Sequence, residues 1–352
     1  MRGFLERAWP LLGLWLLLVV VATIGANASL VIQRDTIEIL VNVVLVVGLY
    51  SFVGTSGVLS FGQMSFMAIG AYVGALLTIP SVQKASLLPD LPGWLQAIEL
   101  GPLPGALLAG LVTVVFAAII VFPIVRLSGL AASLVMFAVL VIVFQVASNW
   151  TAVTRGSQTM IGVPTNTTIV TALAWAIAVI GLVYAYQRSA SGLRLRASRE
   201  DDFAARAAGV SIARERAIAF LLSAFVTGIG GFLYAQFQGA FTPSAFYLHI
   251  TFLTIAMLVF GGQKSLAGAV IGAIAISILS LLFNVAEDGF QAGPIDFPGR
   301  DGLAAAGLAI CILAVLARRR DGLMRGRELE WPGRWIERRR AARLNDPETD
   351  RS

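Results

Sequence analysis

Ten apolar runs dominate the chain. They fall at roughly 9–31, 37–55, 61–80, 104–125, 128–148, 167–187, 217–238, 248–262, 265–285 and 302–317. A helix needs about 20 apolar residues to cross the hydrocarbon of a bilayer. Within that hydrocarbon only helices and closed barrels satisfy their own backbone hydrogen bonds. The runs are continuously apolar instead of alternating, which excludes a β-barrel. The expected fold class is therefore all-α, a polytopic membrane helical bundle of about ten transmembrane helices. The third run is rich in small residues and the eighth is short. Each is a candidate for a broken or re-entrant segment. Composition agrees: 57% of residues are hydrophobic and 13% charged, against about 25% charged in a typical soluble domain. An ordinary soluble enzyme and a disordered regulator are both excluded.

The formal charge is +6 and the pI about 10.0. That balance alone would also fit a nucleic-acid binder. The basic residues, however, cluster at the edges of the apolar runs, which is membrane topology and argues for no nucleic-acid partner. With the N-terminus inside and ten crossings, 22 of the 26 Lys and Arg fall on the inner side. They are Arg2, Arg7, Arg126, the arginines between 188 and 216, Lys264, and those from Arg318 onward. Only Arg34, Lys84, Arg155 and Arg300 fall outside. The positive-inside rule expects this excess, so both termini are expected to be cytoplasmic. The domain reading is a permease domain at 1–317, containing a long cytoplasmic loop at 188–216, and a basic cytoplasmic tail at 318–352. The expected location is the cytoplasmic (inner) membrane, multi-pass. Ala26-Asn27-Ala28 after the first run also resembles a signal-peptide cleavage site. The run is long for such a signal, so the first segment is expected to be retained. Cleavage would not change the orientation of the other nine. The single Cys311 makes no internal disulfide.

Catalytic chemistry is hard to find. No Gly-rich loop of the form GxxxxGK[ST] occurs, so this chain is not expected to hydrolyse ATP or bind a cofactor. One His and one Cys make a metal cluster improbable. His249 reads as an interfacial histidine, and Glu38 lies near the mouth of the second run. The span centres are nearly free of ionisable residues. Coupled secondary carriers usually keep such groups or broken helices there, so the energy source is expected in another subunit.

The loop from Ser191 to Val210 is the most informative segment. Ser198 is suited to cap a short helix with Glu200, Asp201 and Asp202 in its first turn. Phe203 to Ala208 favours helix, and Gly209 is a natural C-terminal stop. Such a helix offers a cytoplasmic partner a handle; a solvated basic connector is the other reading. In the third run, Gly70 and Gly74 lie four apart on one helix face and permit close backbone approach. Tight packing explains them. A segment lining a substrate path is the sharper reading, with Gln63 and Ser65 as uncharged polar groups. Gln145 and Asn149, also four apart, share a face toward a polar path or hold neighbouring helices together. Gly261-Gly262 permits a tight cytoplasmic turn. The segment 286–301 carries Glu287, Asp288, Asp296 and Asp301 against Arg300, which suits either a solvated loop or a basic patch on an external protein. In the tail, arginines with Trp331 and Trp335 suit anchoring to anionic membrane lipids, with contact to another subunit as the alternative.

Several of these segments resemble one family. Ala204-Ala205 followed by Gly209 resembles the Ala-Ala-x-x-x-Gly core of the coupling loop of ABC-importer permeases, with Phe203 where that family has Glu. The stretch from Gly192-Leu193-Arg194 through Arg214 to Gly231 resembles branched-chain amino acid permeases of the LivM type. Leu59 to Tyr72 is similar to their small-residue third segment, and Val259 to Gly268 to their Gly-Gly-x-x-Ser-Leu-x-Gly turn. Thr154-Arg155-Gly156 to Gly162-Val163-Pro164 is a weaker likeness, with Arg155 where the family has glycine. The resemblance covers most of 35–317. It implies coupling through Ala204, Ala205, Arg206 and Gly209. It also implies a second homologous permease, two cytoplasmic ABC ATPase subunits that bind ATP and Mg, and an external substrate-binding protein. The implied cargo is a branched-chain amino acid. Urea or a short-chain amide is the alternative within the family, and an autonomous carrier or channel the alternative outside it.

Overall fold

The apolar runs become helices, and their packing determines which cross as single rods. The computed structural model describes residues 2–127, 129–288, 290–292, 295–297, 302–319, 322–324 and 328. The helices are α1 (Arg2–Ala26), α2 (Leu30–Ser56), α3 (Gln63–Thr78), α4 (Ser81–Leu87), α5 (Gly93–Gln96), α6 (Pro102–Arg126), α7 (Gly129–Asn149), α8 (Thr151–Thr154), α9 (Ile169–Arg188), α10 (Ala190–Glu200), α11 (Asp202–Ala207), α12 (Ile212–Gln238), α13 (Leu248–Gly261), α14 (Leu266–Asp288) and α15 (Leu303–Arg318). A 3₁₀ turn at Pro243–Phe246 leads into α13. Eight of these segments are long and apolar enough to cross a membrane, or nine if the bent pair α3–α4 is counted as one. The protein is thus a multi-pass, all-helical membrane bundle.

The difference from ten lies in the segments where breaks were expected or length is short. α3 has 16 residues, about 24 Å at 1.5 Å per residue, less than the ~30 Å hydrocarbon. It ends before Pro80, which cannot continue the hydrogen-bond ladder, and α4 leaves at 118°. The eighth run instead forms a 19-residue apolar segment, Pro243–Gly261, by adding the 3₁₀ turn to α13. The tenth run is the 16-residue α15, which falls below spanning length. The segment after α14, whose acidic residues suit a solvated loop or an external partner, contains a small antiparallel hairpin, β1 (Phe290–Ala292) with β2 (Ile295–Phe297), pairing Gln291 with Asp296.

The core is built on α2, α3 and α12. Every residue of α2 from Ile39 to Ser56 is buried, as expected for a helix apolar on all faces. α12 packs against α2, α3 and α6. α1, α6, α7 and α9 lie at the periphery with much of their apolar surface exposed.

The α3–α12 crossing is a backbone contact. A Cβ on Gly70 would collide with the carbonyl of Gly228, and one on Gly231 with the carbonyl of Met67. Gly74 lies against the Phe232 ring. Nearer the other end, Phe220 of α12 meets Phe52 of α2 and Phe66 of α3 edge-on, each with centroids 5.3 Å apart. Ser223 Oγ donates to Gly48 O at 2.6 Å, so a side-chain hydroxyl of α12 also ties it to the backbone of α2.

The segments expected to lie inside gather at one end. Arg199 Nη1 donates to Gly54 O at 2.5 Å, and Arg216 Nη1 reaches Leu127 O at 3.5 Å. Leu323, Met324 and Glu328 are held at this end against the α13–α14 turn. Leu323 N donates to Phe260 O, and Met324 N to Gly261 O. The Glu328 carboxylate accepts from Leu266 N at 2.9 Å and Ala267 N at 3.2 Å, capping α14 where the helix dipole favours an anion. Trp331 and Trp335 lie outside the described residues, as do Arg300 and Asp301.

Gly231→Leu should break the α3–α12 crossing, costing about 3 kcal/mol or more by overpacking. The variant is expected to lose its monodisperse peak on size exclusion in mild detergent. Gly93→Leu, at a position with nothing within 4 Å of an added Cβ, should keep it.

Candidate functional site

The loop 188–216 folds as two helices. Ser189 caps α10, its side chain accepting from Gly192 N. Ser198 does not cap the next helix, as was expected. It lies buried inside α10 with its Oγ bonded to Leu195 O. Asp201 takes the role: its carboxylate accepts from Phe203 N and Ala204 N, both at 2.9 Å. The reason is that α10 runs on to Glu200, so the chain first turns extended at Asp201. Gly209 ends α11 as expected, at φ 79°. Val210 N then donates to Ala205 O and Gly209 N to Arg206 O, consuming the last carbonyls.

α11 stands out from the bundle. Ala205 is buried and fixes one face, whereas Ala204, Arg206 and Gly209 are exposed. Phe203 is 88% exposed. Ion pairs tie the base down. Asp202 pairs with Arg206 at 3.0 Å and with Arg216 of α12 at 3.6 Å. Glu215 of α12, itself buried, pairs with Arg194 at 3.5 Å and accepts from Ser191 Oγ. Ser56, Gly57, Arg199, Asp202 and Arg216 line a polar cavity of about 390 Å³ beneath α11. The element is thus an exposed helix fixed at its root to the two most buried spans, α2 and α12.

The residues read as a substrate path separate onto different faces. Gly70 and Gly74 pack on α12, so close helix approach accounts for both. Ser65 lies on another face of α3, with Ala68 and Tyr72, along a narrow cleft against Leu140, Val143 and Ala147 of α7. The Ser65 hydroxyl, the Tyr72 hydroxyl and both amide atoms of Gln63 are buried without a hydrogen-bond partner. Such groups are costly unless something satisfies them. Gln145 and Asn149 do meet, through Asn149 Nδ2 and Gln145 O at 2.7 Å, but on an exposed face of α7 away from this cleft. Tyr72 was missed in the sequence, although its i+7 spacing from Ser65 was a usable signal.

A second polar cleft opens at the end opposite α11. Asp35, Glu38 and Asn42 of α2 face Ser277, Ser280 and Asn284 of α14 across it. Asn42 Nδ2 donates to Ser277 Oγ at 3.2 Å. Here Glu38 is part of a cluster contributed by two spans, which the sequence order conceals. At the same end, Glu287 accepts from Gly302 N and Ala304 N at the start of α15. Arg155 adopts φ 61°, a conformation that costs a side-chain-bearing residue roughly 1–2 kcal/mol and glycine almost nothing. That geometry explains why glycine suits this position. Arg155 Nη1 also closes the turn onto Thr159 O at 2.6 Å.

Asp201→Ala should cost α11 about 1 kcal/mol through its lost cap. The expected result is faster amide exchange at Phe203 and Ala204 with an unchanged thermal midpoint for the bundle.

Residues 32–289 match the family described as branched-chain amino acid transport system, permease component. Two curated relatives carry the name "High-affinity branched-chain amino acid transport system permease protein LivM", one from Salmonella typhimurium and one from Escherichia coli. Each is 25% identical over 301 residues, covering 75% of this chain and 67% of the relative. No solved structure gives a match. The family match spans the core helices, the exposed α11 and both polar clefts, and it describes a permease component and not an ATPase: this chain belongs to the permease family of branched-chain amino acid transport systems.

Proposed function

We propose that this chain is one membrane-spanning subunit of an ABC importer that moves leucine, isoleucine, valine or a similarly small cargo inward by alternating access. The observation that carries the reading is α11, an exposed helix rooted by ion pairs in α12, inside a chain whose residues 32–289 match the permease family. The relatives' names give the cargo class. The other subunits are a second homologous permease, two ATPases that bind ATP and Mg, and an external binding protein. The basic end, carrying α10 and α11, is the cytoplasmic one. The permease domain ends near 317 and the basic tail follows.

ATP acts on such a system only through its different affinity for two states of the ATPase pair. Their closure moves whatever is docked on Ala204, Arg206 and Gly209. Movement at α11 reaches α12 through Asp202–Arg216 and α2 through Arg199–Gly54. α12, packed on α2, also packs directly on α3, whose Gln63, Ser65 and Tyr72 hold unpartnered polar atoms. These groups, with the apolar wall of α7, suit an aliphatic side chain in transit. The cleft at Asp35, Glu38 and Asn284 supplies carboxylates for an ammonium group and amides for a carboxylate on the outer side.

Gly209→Trp places a large side chain on the docking face and forces it into a left-handed backbone position. ATP-driven uptake in membrane vesicles should fall by about tenfold, the loss of ~1.4 kcal/mol of coupling, at normal membrane abundance. Gly209→Asn tolerates that backbone and should retain most uptake. Normal uptake by the Trp variant would sink the coupling role. Gentle isolation from native membranes should recover two ATPases and a second permease by mass spectrometry. A chain recovered alone that still moves solute in ATP-free liposomes would overturn the importer reading. Ser65→Trp should block uptake while leaving ATPase association intact; unchanged uptake would place the path elsewhere.

A further inference from the structure

An apolar pocket lies apart from both polar clefts. It lies between the peripheral helices α6 and α9 and the core helix α12, and has a volume of about 370 Å³. Trp175, Ala174 and Ala178 of α9 form one wall and Phe232 and Leu233 of α12 the floor. At the rim Leu103 is 63% accessible, and the neighbouring Val170 of α9 is 74% accessible. No Asp, Glu, Lys, Arg or His lines it. Its polar lining is uncharged: Asn166, Thr167, Thr171 and Gln236. Of these Gln236 is 1% exposed, and its Nε2 is buried without a hydrogen-bond partner.

We propose that this pocket holds an acyl chain of a membrane phospholipid, with the ester carbonyl accepting a hydrogen bond from Gln236 Nε2. Three observations select that occupant. First, the pocket opens between two helices whose other outward residues are apolar, so its mouth faces the hydrocarbon of the bilayer. Second, the lining carries no charged side chain, so an ammonium and a carboxylate buried here would both lack an ionic partner, which disfavours a zwitterionic cargo. Third, the depth is right. α12 has 27 residues, about 40 Å, which exceeds the ~30 Å hydrocarbon. Gln236 stands two residues from its end, at the level where lipid esters sit. The chain then lies along Trp175 and the small side chains of Ala174 and Ala178, and the pocket falls in the usual volume range of ligand sites. The orphaned donor gains the acceptor that buried amides require. A lipid held there also covers the floor residues Phe232 and Leu233 of α12, beside the Gly228–Gly231 crossing with α3.

The test uses the assembled transporter in nanodiscs doped with a phosphatidylcholine carrying a diazirine in one acyl chain. After illumination, peptides are mapped by mass spectrometry. Label should concentrate several-fold on the peptides holding Ala174 to Ala178 and Phe232 to Gln236, above the exposed α6 face at Leu107 and Leu111. Ala178→Trp fills the pocket and should remove that excess. Gln236→Leu should leave the chain in place but let it wash out several-fold faster in detergent. Even labelling of all exposed faces in the wild type would overturn the proposal, and this readout does not depend on either variant folding. A benzophenone placed at position 174 that cross-links to the second permease, with no lipid label in the pocket, would overturn it in favour of a subunit contact.

Discussion

The contact on which the bundle depends is the crossing of α3 and α12. Lipid tails are as apolar as leucine, so burial gives helices little reason to associate within a membrane, and close packing has to supply it. Gly70 against Gly228 and Gly231 against Met67 bring two backbones together where any side chain would collide. The consequence is a short, buried α3 at the centre of the molecule. Being too short to cross the bilayer by itself, α3 can be accommodated only because α6, α7 and α12 pack around it. Its polar atoms are therefore in protein and not in lipid, which is the condition under which irregular or polar segments persist at membrane depth.

The same helix that makes this crossing also carries the root of the exposed loop. The first turns of α12 carry Glu215 and Arg216, which hold α10 and α11, and the helix continues to Thr227, Gly228 and Gly231 in the core. A displacement of α11 therefore has a continuous helical route to the centre of the bundle. The second route runs through Arg199 to the C-terminal end of α2. Glu328 adds a third constraint at this end by capping α14 across the chain, so residues beyond the last apolar segment take part in holding the permease core.

Legibility in the sequence followed the range of the interactions. Helix identity, the break near the third run and the stop at Gly209 depend on neighbours a few residues away, and the residues announce them. Gly70 and Gly74 were legible as close-packing residues for the same reason. The cap of α11 was misplaced from Asp201 to Ser198 because both are good capping residues. Only the length of α10, set by Leu195 packing into the core, decides between them. The grouping of the buried polar residues was the hardest to read. Gln145 and Asn149 share a helix face by arithmetic, yet arithmetic does not say which way the face points, and α7 turns it outward.

The sequence by itself determined that this chain is a helical membrane protein. Apolar run length leaves no other way to satisfy the backbone, and arginine placement decides which ends gather together. It also determined the family, because the motifs at the loop 188–216 and the glycine turns are short and contiguous. Only the tertiary structure decided which polar residues meet: Asp35 and Glu38 with Asn284 across α2 and α14, Ser65 with the wall of α7, and Glu328 with the start of α14. Each of these joins segments far apart in the chain. Their juxtaposition depends on how the helices rotate and cross, which is set by small-residue packing throughout the bundle and not by any local pattern.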